Sequence, residues 1–456
     1  MTDLTVFGAS GQPASTQPAP TKSILTVDER TRRRNRSESR FRMMGKAAVT
    51  FGIVALIGLL VSIMSNGLTS FQQTYISIDV YLDPAVLDKA GNRDPADIAK
   101  VSTFGYLPLI EKALGDAIAA KGLAAEGLTA KAAAELISKE SPADLRRFVM
   151  SDPSMVGETQ RFDFLAAGRI DGYYKGRVTM ASAQLDRNVS PEQLVLADTL
   201  KEDGILTTKF NWSFFTAPDA SDTRPEAAGL GVAIIGSAYM MLIVLVLSLP
   251  LGVATSIYLE EFAPQNWFTD LIEVNIANLA AVPSIVFGIL GLAVLINFVG
   301  LPQSAPIVGG LVLTLMTLPT IIIATRSALK AVPPSIRDAA LGVGASKMQS
   351  IFHHVLPLAM PGILTGAIIG LARALGETAP LLLIGMVAFV REYPSGPPDG
   401  FFQPASALPV QIYNWTQRGD PAFVERASGA IIVLLVFLVL MNLLAIVLRR
   451  RFERRW

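Results

Sequence analysis

Six runs of apolar residues, at about 47–64, 230–258, 276–298, 307–325, 358–390 and 429–448, set the strongest limit on what this chain can fold into. Each is close to or longer than the roughly 20 residues a helix needs to cross a hydrocarbon core. In lipid a spanning backbone has to satisfy its own polar groups, so runs of this length predict helices that cross a bilayer. A 456-residue chain that is 51% hydrophobic and only 17% charged agrees with that reading and disagrees with an ordinary soluble protein.

Charge placement predicts the topology. Arg30, Arg32, Arg33, Arg34, Arg36, Arg40 and Arg42 precede the first run, and Arg449, Arg450, Arg451, Arg454 and Arg455 follow the last. Basic residues beside spans stay in the cytoplasm, so six crossings with both termini inside satisfy both groups at once. The polar region before the first run is too long for a signal peptide, which makes that run an uncleaved anchor. Residues 1–27, rich in Ser, Thr, Pro, Gln and Ala, are expected to be a disordered tail, with a basic cytoplasmic segment extending to about 45. A second short basic tail is expected at 450–456.

Between the first two runs, residues 69–227 have the composition of a soluble domain. The topology puts this domain outside the cytoplasm, with a strand expected at 75–81, a helix at 126–139 and an α or α+β fold. It contains no nucleophile constellation and no metal-ligand spacing, and a spacer or a docking platform would both suit it. The same topology puts 327–357 in the cytoplasm and the Pro/Gly-rich loop 391–425 outside. With no cysteine there is no disulfide and no thiolate chemistry, and the adjacent His353 and His354 lack a carboxylate cluster for a metal. No cofactor and no nucleic-acid partner is implied.

Two segments carry mechanism. The first runs Ile336-Arg-Asp-Ala-Ala-Leu-Gly-Val-Gly-Ala-Ser-Lys347 and closes with Leu356 and Pro357. It predicts a short Ala-rich helix, a Gly break and an amphipathic continuation, a shape suited to a partner's groove. Although glycines precede Lys347, Met348 follows it, so the G-x4-G-K-[ST] pattern of a phosphate-cradling loop fails and any ATP hydrolysis belongs to another chain.

The second segment, Leu371-Ala-Arg-Ala-Leu-Gly-Glu-Thr-Ala-Pro380, places ionisable groups deep in an apolar run. Arg373 and Glu377 are one helical turn apart and can pair, offsetting a cost of about 2.5–3.5 kcal/mol for a lone charge at the centre of a span. A straight helix over 358–390 would be about 50 Å long at about 1.5 Å per residue, too long for one crossing. A break near Gly376 is therefore expected, and it would leave backbone facing a cavity. The residues alone also allow a purely structural ion pair.

These segments resemble a known family. The first is similar to the coupling loop of ABC importer permeases, E-A-A-x3-G-x9-I-x-L-P: Asp338 stands for the Glu, Ala339, Ala340, Gly344, Leu356 and Pro357 match, and His354 takes the Ile place. R-A-L-G-E-T-A-P and Asn278-Leu-Ala-Ala-Val-Pro-Ser-Ile-Val-Phe-Gly288 resemble segments of phosphate importer permeases. The stretches Phe214-Phe-Thr216, Arg224-Pro-Glu-Ala-Ala-Gly229 and Pro250-Leu-Gly-Val-Ala254 look more like the PstA type than its PstC-type sister. The resemblance implies an all-α polytopic membrane protein with six transmembrane helices and a MetI-like core, plus the extra outer domain. It further implies phosphate import with an ABC ATPase dimer, a sister permease and an extracytoplasmic phosphate-binding protein, in a bacterial inner membrane. Arg373 and Glu377, with Thr378 and Ser284 as weaker candidates, would line the substrate pathway. A permease for molybdate or sulfate, or a membrane-anchored sensor, are the competing readings.

Overall fold

The computed structural model describes residues 29–89, 91–122, 128–386 and 389–452. The chain divides into two compact units, residues 1–62 and 63–456. In the first, the described residues belong to a single helix, α1 (Glu29–Gly67), whose last turn is part of the second unit. The tail expected at 1–27 and residues 453–456 lie outside the described residues.

The second unit begins with the inserted domain: β1 (Gln72–Tyr81), α2 (Leu107–Ala120), α3 (Ser141–Ser151), β2 (Thr159–Leu165), α4 (Gly168–Tyr174), α5 (Pro191–Glu202) and β3 (Leu206–Phe210). The three strands form an antiparallel sheet in the order β2-β1-β3. In β1 the alternation of Ile76, Ile78 and Val80 puts one apolar face inward. That face packs on Ile110 and Leu114 of α2, Leu145 and Val149 of α3 and Leu194 of α5. The domain is thus α+β, and the expected strand at 75–81 is present, starting three residues earlier. The helix expected over 126–139 is corrected: 126–127 lie outside the described residues, and helix covers only Ala130–Ala134. Leu136 and Ile137 turn into the core instead, with Ile137 bridging to Ala166, because burying two large side chains outweighs the helical preference of the alanines before them, which is under about 1 kcal/mol per residue.

The membrane part comprises α6 (Gly231–Ile257), α7 (Trp267–Ala280), α8 (Ser284–Leu290), α9 (Pro306–Lys330), α10 (Pro334–Gly342), α11 (Leu356–Gly376), α12 (Ala379–Leu383), α13 (Leu408–Gln417) and α14 (Pro421–Phe452). Among the described residues, five helical stretches, containing α1, α6, α9, α11 and α14, are long and apolar enough to cross a membrane. The run at 276–298 is not a straight span: its two helices meet at 103°. Pro283 sits at the break, where it has no N–H to donate and disfavours helical backbone in the residue before it.

Close packing of α9 on α11 rests on small residues. Gly362, Gly366 and Gly370, one turn apart on α11, face Ala328, Ala324 and Thr317 of the antiparallel α9. A methyl added at Gly362 would come within 2.6 Å of the Ala328 Cβ, and one at Gly370 within 2.9 Å of the Thr317 Cγ2. Such stripes let backbones approach where no hydrophobic effect drives helices together.

A buried ionic joint ties the inserted domain to the start of α14. Lys175 Nζ lies 2.7 Å from Asp171 Oδ2 and 3.1 Å from Glu425 Oε1, and Arg177 Nε lies 2.7 Å from Glu425 Oε2. The neighbouring Arg426 donates to Gln73 Oε1 of β1 and to the carbonyls of Glu226 and Ala228. Glu226 is also buried; burial pushes its carboxyl up, while the Ser138 hydroxyl, donating at 2.5 Å, works the other way.

Two outcomes follow from this packing. Gly366→Leu should destabilise the protein by at least about 1–3 kcal/mol, the usual cost of overpacking, and lower its melting temperature in detergent. Glu425→Ala leaves Asp171 alone to neutralise Lys175 and Arg177 and should cost about 3–5 kcal/mol, read as earlier thermal unfolding and faster proteolysis between the inserted domain and α14.

Candidate functional site

Helix α11 stops in the middle of the membrane part because two of its residues resist continuing it. Gly376 is a weak helix former, and Pro380 cannot donate the N–H that a continued helix would need from it. Glu377 accordingly takes up extended backbone, φ −77° and ψ 128°, and α12 restarts after Thr378. The break expected near Gly376 is there. One detail differs from the sequence reading: Glu377 lies just past the helix and does not share a helical face with Arg373.

The two charges still meet, loosely. Arg373 Nε is 3.7 Å from Glu377 Oε1, an ion-pair separation too long for a hydrogen bond. The Arg373 side chain is 49% exposed within this single chain and Glu377 is 20% exposed, so neither is sealed inside packed protein. Among the described residues neither forms a hydrogen bond with a third side chain. The guanidinium fork and carboxylate oxygens retain donors and acceptors for a small polar guest.

The second break lies beside the first. Gly288 of α8 has no Cβ, and one placed there would lie 2.7 Å from the Cα of Pro380; at Gly291 it would lie 3.1 Å from Ile384 Cγ2. The two helices therefore run side by side in the same direction. Ser284 is the first residue of α8. Ser284 and Thr378 are both half-buried, and among the described residues neither bonds to Arg373 or Glu377. What the structure brings together is the two helices that follow the breaks, α8 and α12, with the loose Arg373–Glu377 pair at the second break. Gly288 and Gly291 permit this approach; with Pro283 they mark an irregular or closely packed span in the sequence, which does not say what packs there.

At the opposite end of α11 lies the coupling segment. Pro334 begins α10, Gly344 adopts φ +90°, which suits glycine, and Ala345 N donates to Ala340 O to close the turn. Ser346 then caps a new helix through Gln349, which leads through Leu356 and Pro357 into α11. Asp338, Ala339 and Gly344 are exposed, Ala340 is buried, and Leu356 and Pro357 are half-buried. Val343 is 87% exposed and Leu341 48%, so the turn carries an apolar tip.

Sequence reasoning missed what holds this segment. Arg337 donates to Glu261 Oε1 at 2.7 Å, to the carbonyl of Val332 at 2.9 Å and to that of Leu329 at 3.0 Å. It thus ties α10 to the end of α9 and to the turn after α6. An arginine beside an Asp-Ala-Ala stretch was a signal only in hindsight, since Glu261 is 76 residues away. Arg326 and Lys330, near the end of α9, pair with Glu260, and Arg326 also with Glu273 at 2.6 Å.

Parts of this chain match known proteins. Residues 248–456 match the family described as binding-protein-dependent transport system inner membrane component, and residues 28–184 match a domain of unknown function, DUF3333. The probable ABC transporter permease protein YqgI of Bacillus subtilis is 34% identical over 48% of this chain and 78% of its own length. The phosphate transport system permease protein PstA 2 of Mycobacterium bovis is 33% identical over 54% of this chain and 79% of its own. Among solved structures, an inward-facing MetNI methionine ABC transporter is similar with a TM-score of 0.38 and 17% identity, over 50% of this chain and 95% of that one. By its matches to relatives over three quarters of their length, the chain belongs to the binding-protein-dependent transport system inner membrane components, in the PstA-type branch of ABC transporter permeases.

Proposed function

We propose that this permease carries inorganic phosphate inward across a bacterial inner membrane by alternating access, without hydrolysing ATP itself. In this reading both termini and the coupling segment are cytoplasmic, and the inserted domain is extracytoplasmic. An ABC ATPase dimer binds the Asp338 to Gly344 region, a PstC-type sister completes the pathway, and an extracytoplasmic binding protein delivers the phosphate.

The observation that carries it is the loose Arg373–Glu377 pair at the break between α11 and α12. A guanidinium fork matches two phosphate oxygens. Hydrogen phosphate still has a P–O–H group and can donate to the Glu377 carboxylate, whereas sulfate is fully ionised and has nothing to donate. A site built around that donor leaves its acceptor unpaired with sulfate, a penalty of about 1–3 kcal/mol, or roughly tenfold to a hundredfold in affinity. The phosphate transport names of the relatives PstA 2 and PstA support the same substrate.

Motion fits the joints described above. With Arg337 bonded to Glu261 and to the end of α9, a displacement of α10 by a partner is passed to α6 and α9 as a unit. The α9 and α11 helices are locked together by their small-residue contact, so the break moves with them.

Glu377→Gln should reduce labelled-phosphate uptake about tenfold, as a charge-assisted acceptor becomes a neutral one, while the ATPase still co-purifies. Undiminished uptake in that variant would remove Glu377 from the pathway. Arsenate but not sulfate should compete with phosphate; competition by sulfate would favour a broader oxyanion permease. Arg337→Ala should lower uptake and weaken retention of the ATPase in pull-downs, leaving phosphate still able to protect the protein from thermal unfolding.

A further inference from the structure

The inserted domain ends toward the membrane in a group of aromatic rings for which the transport reading has no use. Phe71 stacks on Phe215 with centroids 5.8 Å apart, Phe210 meets Trp212 at 4.9 Å and Phe215 at 6.2 Å, and Phe71 reaches Phe210 at 6.5 Å. Despite these contacts Trp212 is 69% exposed, Phe210 49% and the adjoining Leu68 50%.

Its level is set by neighbours in the same unit. Gly67, the last residue of α1, packs against Ser428, Gly429 and Ile432 of α14, where the apolar run of that span begins. Ser70 and Phe214 touch Gly429 as well, and the Ser70 hydroxyl donates to the carbonyl of Glu425. Phe71 follows Ser70 directly, and Phe214 is flanked by Ser213 and Phe215. The antiparallel register pairs Gln72, at the start of β1, with Phe210, at the end of β3, so Phe210 is also on the membrane-proximal edge of the sheet. Farther up the sheet the exposed side chains become charged, with Lys209 paired to Asp163 at 2.6 Å. Apolar rings at the height where two spans enter, with charges above them, follow the gradient of a bilayer surface.

We propose that Leu68, Phe71, Phe210, Trp212 and Phe215 form a lipid-contact surface that rests the inserted domain on the boundary between headgroups and acyl chains. Indole and phenyl rings partition to that boundary, where the ring is desolvated and the indole N–H still finds a polar partner. Lipid is the occupant because the patch continues directly from the ends of membrane-spanning helices at their own level. Together with the ionic joint at Glu425, it gives the domain a second support and holds it at a fixed tilt over the spans.

The test uses the full chain in lipid nanodiscs, with Trp267→Phe and Trp456→Phe leaving Trp212 and the buried Trp415 as its indoles. Phosphatidylcholine brominated high on the acyl chain should quench the Trp212 emission, lipid brominated near the chain end should quench it less, and aqueous iodide should have little effect. Adding Trp212→Phe should abolish the lipid-dependent loss and leave the Trp415 signal, with an unchanged melting temperature showing that the exposed ring is not needed for folding. Strong quenching by iodide with none from brominated lipid would overturn the proposal in favour of a solvent-facing patch. Protection from both quenchers would overturn it in favour of a protein partner or a second copy of this chain.

Discussion

Hydrocarbon does not replace a lost backbone hydrogen bond, and an unpaired N–H or C=O within it costs several kcal/mol. Every break in a spanning helix therefore has to be packed in protein or open to water, and among the described residues such breaks lie at Pro283 and at Glu377. The helices that follow them, α8 and α12, pack side by side in parallel, with glycines at the contact.

The loose pair gains its meaning from this setting. A tight, bidentate Arg–Glu contact would use up the donors and acceptors of both groups. At 3.7 Å, with the arginine half exposed, the pair tempers the cost of two charges at depth while retaining capacity for a polar guest. That balance between mutual neutralisation and availability is what the proposed phosphate pathway requires.

Rigid joints at both ends of the spans complete the design. On one side Arg337 binds α10 to α9 and to the turn after α6; on the other, Asp171, Lys175, Arg177, Glu425 and Arg426 bind the inserted domain to α14. Buried charges of this kind are costly to separate, so each joint is expected to move as a body. The inserted domain is thereby coupled to a span and is not a loosely tethered appendage.

Much of this was legible in the amino-acid order. Runs near 20 apolar residues have one stable form in a bilayer, so five of the six could be read directly as helices long enough to span, the run at 276–298 being bent at Pro283; Gly376 with Pro380 announced the break, and the alternation at Ile76, Ile78 and Val80 announced the strand. Local rules suffice for these because the cause lies within a few residues of the effect. Tertiary structure alone decided the rest: that Gly288 seats Pro380, that Glu261 answers Arg337, and that Glu425 closes an ionic joint with Lys175, 250 residues earlier in the chain. Contacts between distant segments depend on how helices cross and on which polar groups must share a buried space, and no local pattern encodes either.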